Sequence, residues 1–295
     1  MKITFMYNPQ AGGSDLPVEE LVNGLKRRGA KVFTQCTKED DYTEALEKSC
    51  DFMLIAGGDG TIEKIAKKLV HKKIPIAILP FGNANNIAQS LDVDTALDVI
   101  VSSWLAKDFR KFSVGAILID NESRYFLESA GWGLFAEMLN RIKSEKKKKK
   151  KDPIDKKGKV ESGLTRLSEG VETLKHSFYH LFLDGVDYSG YYLWLEIMNT
   201  QSMGPRLQLA PEASHGDEFL DVVMVTEEEK ESLYGFLNSQ NEGENPHHFS
   251  TIKAKTIKVK SLEPIHIDDE IHQPTPEQDW LEISLVSQYF WVINA

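Results

Sequence analysis

The hydrophobic period of this chain changes near residue 110, and its fold must accommodate both periods. Before that point, short apolar runs alternate with helical stripes. ITFMY (3–7), AKVFTQC (30–36), FMLIA (52–56) and IPIAILP (74–80) read as strands. Between them, Val18, Leu21, Val22 and Leu25 recur at helical spacing and stop at Gly29. A polar helix is expected from Asp41, and Ile62, Ile65, Ala66, Leu69 and Val70 form a further stripe. Helices are expected over 84–91 and 95–107. Strands separated by helices are βαβ units, so residues 1–109 are expected to form a doubly wound, parallel-sheet α/β domain.

Beyond residue 110 the runs favour hairpins. FSVGAILI (112–119), the turn DNES and RYFLESAG (124–131) predict one. A helix, a lysine-rich segment and a helix over 162–176 follow. HLFLDG, a turn through Asp187 to Gly190, and YYLWLEIMN predict a second hairpin. FLDVVMV, TIKAKTIKVKSL, PIHIDD, DWLEISLV and QYFWVI add strands, with alternation over Thr251–Lys260. Residues 110–295 are therefore expected to be a mostly antiparallel β-sandwich domain, its last residues free to return to the first domain. No internal repeat is present, and 295 residues suit two domains.

Composition excludes several classes. An apolar content of 41% and a charged content of 27% argue against intrinsic disorder. A net charge of −10 argues against a nucleic-acid binder. That balance hides a basic segment: residues 141–160 hold eleven bases against three acids, +8, leaving −18 elsewhere. No run approaches a membrane span, and MKITFMYNPQAGG is too short in apolar residues for a secretory signal. Cys36 and Cys50, with no CxxC, speak against a disulfide framework or a cysteine zinc site, and a cytoplasmic setting is expected.

Two motifs carry chemistry. GGDGT (57–61) ends a strand and opens a helix, where open α/β sheets bind ligands. Glycines let the backbone approach a phosphate, and the N–H groups of a helix start favour anions. It is not a Walker A loop, since GxxxxGK[ST] is absent; the bland alternative is an ordinary turn. PFGNANNIAQSL (80–91) repeats the arrangement one unit later, with helix capping as its bland reading. In order and spacing, NPQAGG (8–13), GGDGT, PFGNANN (80–86), GWGLFAE (131–137), LAPEASHGDEFLDVVMV (209–225) and DDE (268–270) resemble the diacylglycerol kinase catalytic-domain family of lipid kinases. That family includes soluble bacterial lipid kinases and the sphingosine and ceramide kinases. NAD kinase and phosphofructokinase are more distant relatives sharing the glycine-rich turn.

The resemblance implies a phosphofructokinase-like first domain, a lipid-substrate and metal domain after it, and a site in the cleft between them. It implies an ATP- and Mg2+-dependent transfer of the γ-phosphate to a hydroxyl of a diacylglycerol-like or sphingoid lipid. By matching position, nucleotide contacts would fall on Asn8, Thr37, Gly57, Gly58, Asp59, Gly60, Thr61, Ile62, Glu63, Gly82, Asn83 and Asn85. Asp59 would organise metal and phosphates, and Glu270 would be the base that takes the lipid hydroxyl proton. Asp217, with main-chain oxygens of Ser214 and Phe219, would hold magnesium. Phosphoryl transfer needs mainly positioning, charge neutralisation and such a base.

Three departures from the family pattern stand out. Asn83 and Asn86 replace a hydroxyl and a carboxylate, Glu218 follows Asp217 where glycine is usual, and Asp269 replaces the glycine of Asp-Gly-Glu. They keep open a catalytically weakened regulatory homologue that binds nucleotide or lipid; a NAD kinase-like enzyme is a further alternative. The tract Lys146–Lys151 reads either as a solvated loop or as a dock on an anionic membrane. His247-His248 and Glu227–Glu229 lack ligand spacing, and Tyr289, Phe290 and Trp291 read as core. The sequence does not give the oligomeric state.

Overall fold

The computed structural model describes residues 1–13, 16–93, 96–119, 122–146, 156–242, 249–275 and 279–294. Lys147–Lys151 of the lysine tract, and His247-His248, lie outside the described residues. The chain divides into two compact units, Met1–Ser113 with Ser287–Ala295, and Val114–Val286.

Unit 1 runs β1 (Lys2–Tyr7), α1 (Val18–Arg27), β2 (Lys31–Cys36), α2 (Tyr42–Ala45), β3 (Phe52–Gly57), α3 (Asp59–Leu69), β4 (Ile76–Pro80), α4 (Asn86–Ser90) and α5 (Leu97–Ala106). Its strands lie parallel in the order β2–β1–β3–β4, with Phe5 beside Thr34 and Leu54, and Ile55 beside Ile78. Every residue of β3 is buried, as a strand covered on both faces must be. Phe52, Leu54 and Ala56 pack with Leu25 of α1 and Ile100 of α5. Strand alternation sends Met53 and Ile55 to the opposite face, and Ile62, Ile65 and Leu69 on the buried stripe of α3 are fully enclosed. The strand order reverses between β1 and β3, so the ligand-binding switch point of such a sheet falls at their carboxyl ends.

Unit 2 is built from β5 (Phe109–Ile119, entering from unit 1), β6 (Glu122–Phe126), β7 (Ser129–Gly133), α6 (Leu134–Lys146), α7 (Lys156–Thr173), β8 (Ser177–Leu183), β9 (Val186–Asp187), β10 (Gly190–Tyr192) and β11 (Trp194–Met198). β12 (Leu220–Val225), α8 (Lys230–Glu242), β13 (Ser250–Ala254), β14 (Thr256–Lys260), β15 (Ile265–Ile267), β16 (Glu270–His272) and β17 (Leu281–Ile293) complete the chain. One antiparallel sheet is ordered β13–β12–β11–β7–β15–β16; the other contains the run β10–β8–β14–β17. Between the sheets lies a core of Trp132, Tyr179, Leu181, Leu195, Ile197, Val222, Ile257 and Ile283. A second core, with Trp194, Met198, Val223 and Val225, packs against Leu134, Leu167 and Phe236 of α6, α7 and α8. β11 and β12 are thus buried on both faces, which is why their sequences, apart from Glu196 and Asp221, are apolar rather than alternating.

The structure divides three elements that the sequence joins. RYFLESAG splits: Arg124 to Phe126 pair with β5, and Ser129 onward pairs with β11 and β15 in the other sheet. YYLWLEIMN splits likewise after Tyr192. The turn of that hairpin sits at Asp184 and Gly185, both at positive φ, rather than at Asp187 to Gly190. TIKAKTIKVK breaks at Lys255, because Ile252 and Ala254 occupy even positions whereas Ile257 and Val259 occupy odd ones. A strand cannot bury both sets on one face. In the opposite sense, DWLEISLV and QYFWVI merge into β17.

Candidate functional site

In unit 1 the two glycine-rich turns are in backbone contact. A Cβ placed on Gly58 would lie 2.8 Å from the Gly82 Cα, and one on Gly82 would lie 2.4 Å from the Gly58 Cα. Gly57 is equally tight, its imagined Cβ 2.5 Å from that of Thr61. No side chain fits at this junction, so what it presents is main chain. Gly58 caps α3, and its carbonyl accepts the Thr61 and Ile62 N–H groups at 2.8 and 3.1 Å. Asn8, just past β1, donates from Nδ2 to Thr61 Oγ1 at 3.2 Å, tying the ends of β1 and β3 together at the switch point.

The second turn is locked by Asn85. Its Oδ1 accepts from the Gly82 N–H at 2.7 Å and its Nδ2 donates to the Gly82 carbonyl at 3.2 Å, with φ at 57°. Asn tolerates that left-handed region better than most residues. Asn85 precedes α4, but its side chain is spent on Gly82 and leaves the helix uncapped. Asp59 supplies the cap from α3: its Oδ1 accepts the Ile87 N–H at 3.2 Å. Gly60 is exposed, Asn83 half-buried and Asn86 buried. Ile62 and Glu63 turn inward; Ile62 is fully buried, and Glu63 pairs with Lys67. Thr37 is buried at the end of β2, its N–H on the Tyr7 carbonyl. Its own carbonyl accepts from Lys64 Nζ at 2.6 Å. Lys64, a cation one turn along α3 from Gly60, is not singled out by the sequence motifs.

In unit 2, Glu270 opens β16 with its side chain 73% exposed, the His272 Nε2 3.8 Å away. The preceding Asp268 is committed elsewhere. Its Oδ1 accepts from the Glu128 N–H at 2.9 Å, and its carboxylate also receives the Leu127 and Ser129 N–H groups. Asp268, at φ 47°, takes the left-handed position in this turn. Asp269 does not, so the glycine it replaces is not needed there for its backbone freedom. Beneath the turn, His266 is fully buried, with Nε2 within 2.9 and 3.0 Å of the two Glu196 carboxylate oxygens. Nδ1 lies 2.9 Å from the Asp268 carbonyl, and Trp194 Nε1 donates to Glu196 Oε2 at 2.7 Å. Burial alone would lower the His266 pKa; the Glu196 carboxylate, together with the Asp268 carbonyl and carboxylate, outweighs it and holds the imidazole above its ordinary value.

The segment after Leu209 places Ser214, Asp217 and Phe219 in one turn. An oxygen-seeking cation would need the Asp217 carboxylate and the two main-chain carbonyls. Asp217 Oδ2 instead receives Lys253 Nζ at 3.0 Å, and Oδ1 receives the Phe219 N–H at 2.9 Å. The Ser214 carbonyl accepts the Asp217 N–H at 3.3 Å. Lys253 Nζ also donates to Asp221 Oδ2 at 3.1 Å. Burial pushes the Asp221 carboxyl up, and Lys253 offsets this only in part. The residues present therefore do not fit a magnesium ion at this turn, because a lysine ammonium already stands against its carboxylate. The resemblance points to Asp217 but not to Lys253; the available signal was Asp221, a carboxylate inside an otherwise apolar strand, which calls for a cation or a proton.

Comparison with known proteins agrees with this layout. A model of the diacylglycerol kinase catalytic domain matches residues 2–117. A model of the YegS C-terminal NAD kinase beta sandwich-like domain matches residues 155–285. The chain is similar to the diacylglycerol kinase of Mycobacterium tuberculosis, 26% identical over 276 residues, covering 88% of this chain and 85% of that protein. It is similar to the diacylglycerol kinase of Staphylococcus carnosus, 25% identical over 283 residues, covering 90% and 87%. A crystal structure of a diacylglycerol kinase from Bacillus anthracis superposes with a TM-score of 0.73 at 20% identity, covering 99% of this chain and 96% of that one, a likeness of fold. With the glycine-rich turns, the parallel sheet and the β-sandwich accounted for, the chain belongs to the diacylglycerol kinase catalytic-domain family of lipid kinases.

Proposed function

We propose that this protein is an ATP-dependent kinase that transfers the γ-phosphate to a hydroxyl of a diacylglycerol-like or sphingoid lipid. The observation that carries the reading is the backbone junction of Gly58 and Gly82 at the head of α3. A phosphate chain is recognised well by main-chain N–H groups and the positive end of a helix dipole, and poorly by a turn crowded with side chains. In this reading Asn8, Gly57 to Thr61, Gly82, Asn83 and Asn85 form the nucleotide-binding turns, and Thr37 and Lys64 flank them at the end of β2. ATP enters as its magnesium complex, a substrate. Asp59 holds the two turns in register through α4.

Glu270 takes the proton of the lipid hydroxyl. It is exposed, whereas the neighbouring Asp268 is buried and spent on three backbone N–H groups; the exposed Asp269 is the one adjacent carboxylate that could stand in for it. A positioned carboxylate of this kind contributes typically ~10²–10⁴-fold. Turnover of labelled ATP against a panel of diacylglycerols, ceramides and sphingoid bases, with NAD as a control acceptor, tests the proposal. Glu270→Gln is expected to keep ATP binding and the melting temperature, and to lose turnover by about that factor. Wild-type turnover in Glu270→Gln would sink the base assignment. A second reading, a regulatory homologue with weakened catalysis, is favoured by the buried amide Asn86, which carries no charge where the family pattern has a carboxylate. Tight ATP binding with no phosphorylated lipid across the panel would select it.

A further inference from the structure

Turn 214–219 is gripped by lysines from the neighbouring chain segment. The strand register sets Lys253 directly opposite Asp221. From there its Nζ reaches both Asp221 and Asp217, at 3.1 and 3.0 Å. Lys255, two residues on, donates to Glu218 Oε2 at 2.7 Å and lies 4.9 Å from the centre of the Phe219 ring. Its backbone N–H is itself fixed by Asp184. The Asp221 side chain is 3% exposed, in a strand whose other residues are apolar. A buried carboxylate beside a second carboxylate must either hold a proton or be paired with a cation, and here Lys253 stands between the two. Among the described residues, no group of three or more His, Cys, Asp or Glu is arranged to hold a metal.

We infer that Lys253 takes the place of a divalent cation at this turn, tying Asp217 to Asp221 so that the segment is ordered without metal. A covalently tethered ammonium satisfies both carboxylates and needs no free magnesium. It offers no open coordination position, so the turn has a mechanical role and exchanges no ligand. The inference concerns the turn alone and does not depend on the kinase reading.

Thermal melting of the nucleotide-free protein in EDTA and in millimolar MgCl2 tests it. The wild type and Lys253→Arg are expected to melt at the same temperature in both. Lys253→Met is expected to melt roughly 3–10 °C lower in EDTA, the scale for breaking a partly buried ion pair, and to recover part of that loss in MgCl2. If the single variant fails to fold, Lys253→Met combined with Asp217→Asn, which removes one carboxylate with the cation, is expected to fold and to ignore MgCl2. A wild-type protein stabilised by MgCl2, with the response lost in Asp217→Asn, would overturn the inference. So would Lys253→Met melting like the wild type, or falling without any response to MgCl2.

Discussion

On the strands of unit 1, among the described residues, Thr4 alone is a fully buried polar side chain; polarity gathers at the strand ends, around Asn8, Asp59 and Asn85. Unit 2 instead runs charge through its central sheet, with Glu196 on β11, Asp221 on β12 and His266 on β15. The contrast separates two ways of building a site. Unit 1 is built of main chain held by side chains, with no room for a methyl group at Gly58 or Gly82. Unit 2 works with side-chain charge, so it tolerates Asp269 in place of a turn glycine but not the loss of one member of a buried pair.

The largest expected effect on stability is in unit 2. Glu196→Leu or His266→Leu alone leaves an uncompensated buried group and is expected to cost about 3–5 kcal/mol. The double variant should recover most of that loss in chemical denaturation. Two single variants with small effects would erase the contrast between the units. The same pair gives a pH signature. Because the folded-state pKa of His266 is raised, its contribution is complete below the unfolded value of about 6.5 and is lost as pH rises through the folded value. Melting temperature should therefore fall over that window, and the slope should be absent in the double variant.

Next in size is Gly82→Ala. Its Cβ would sit 2.4 Å from the Gly58 Cα and 2.5 Å from Asn85 Oδ1, so the two turns must part. Overpacking of this kind costs about 1–3 kcal/mol. ATP affinity, read by calorimetry, should drop well beyond what the stability loss explains. Unchanged affinity would detach phosphate binding from the junction.

The smallest effect separates two roles of Asp59. Asp59→Ala removes the α4 cap and is expected to cost about 0.5–2 kcal/mol. Asp59→Asn keeps Oδ1 as acceptor for the Ile87 N–H and should leave the melting temperature near the wild type. If phosphotransfer falls strongly in Asp59→Asn, the charge acts on the nucleotide; if only Asp59→Ala is impaired, the residue is a brace.

How much of this was legible follows the same division. The strands of unit 1 lie within two residues of their sequence assignments, because an apolar run between helical stripes has one reading in a parallel sheet. GGDGT and PFGNANN mark both turns, yet nothing in one turn predicts that it touches the other. In unit 2 the parity shift at Lys255 was present in the letters, and it marks where the chain changes sheets. The split after Tyr192 had no comparable mark, since β11 is buried on both faces and does not alternate. The pairing of Glu196 with His266 was invisible, because the partners lie 70 residues apart and meet only through the register of β11, β7 and β15.

The return of the chain from unit 2 to unit 1 bears on how the protein is made. Val292 pairs with Ile76, Ile293 enters the core beside Phe52 and Leu54, and Asn294 bonds to the Asp108 backbone. On a ribosome adding roughly 5–20 residues per second, β4 waits on the order of ten to forty seconds for that partner, while Val114–Val286 is synthesised. Through that interval the first unit has every strand of its switch point but an open edge and an unfilled core, the state in which a nascent chain is most exposed to wrong pairing.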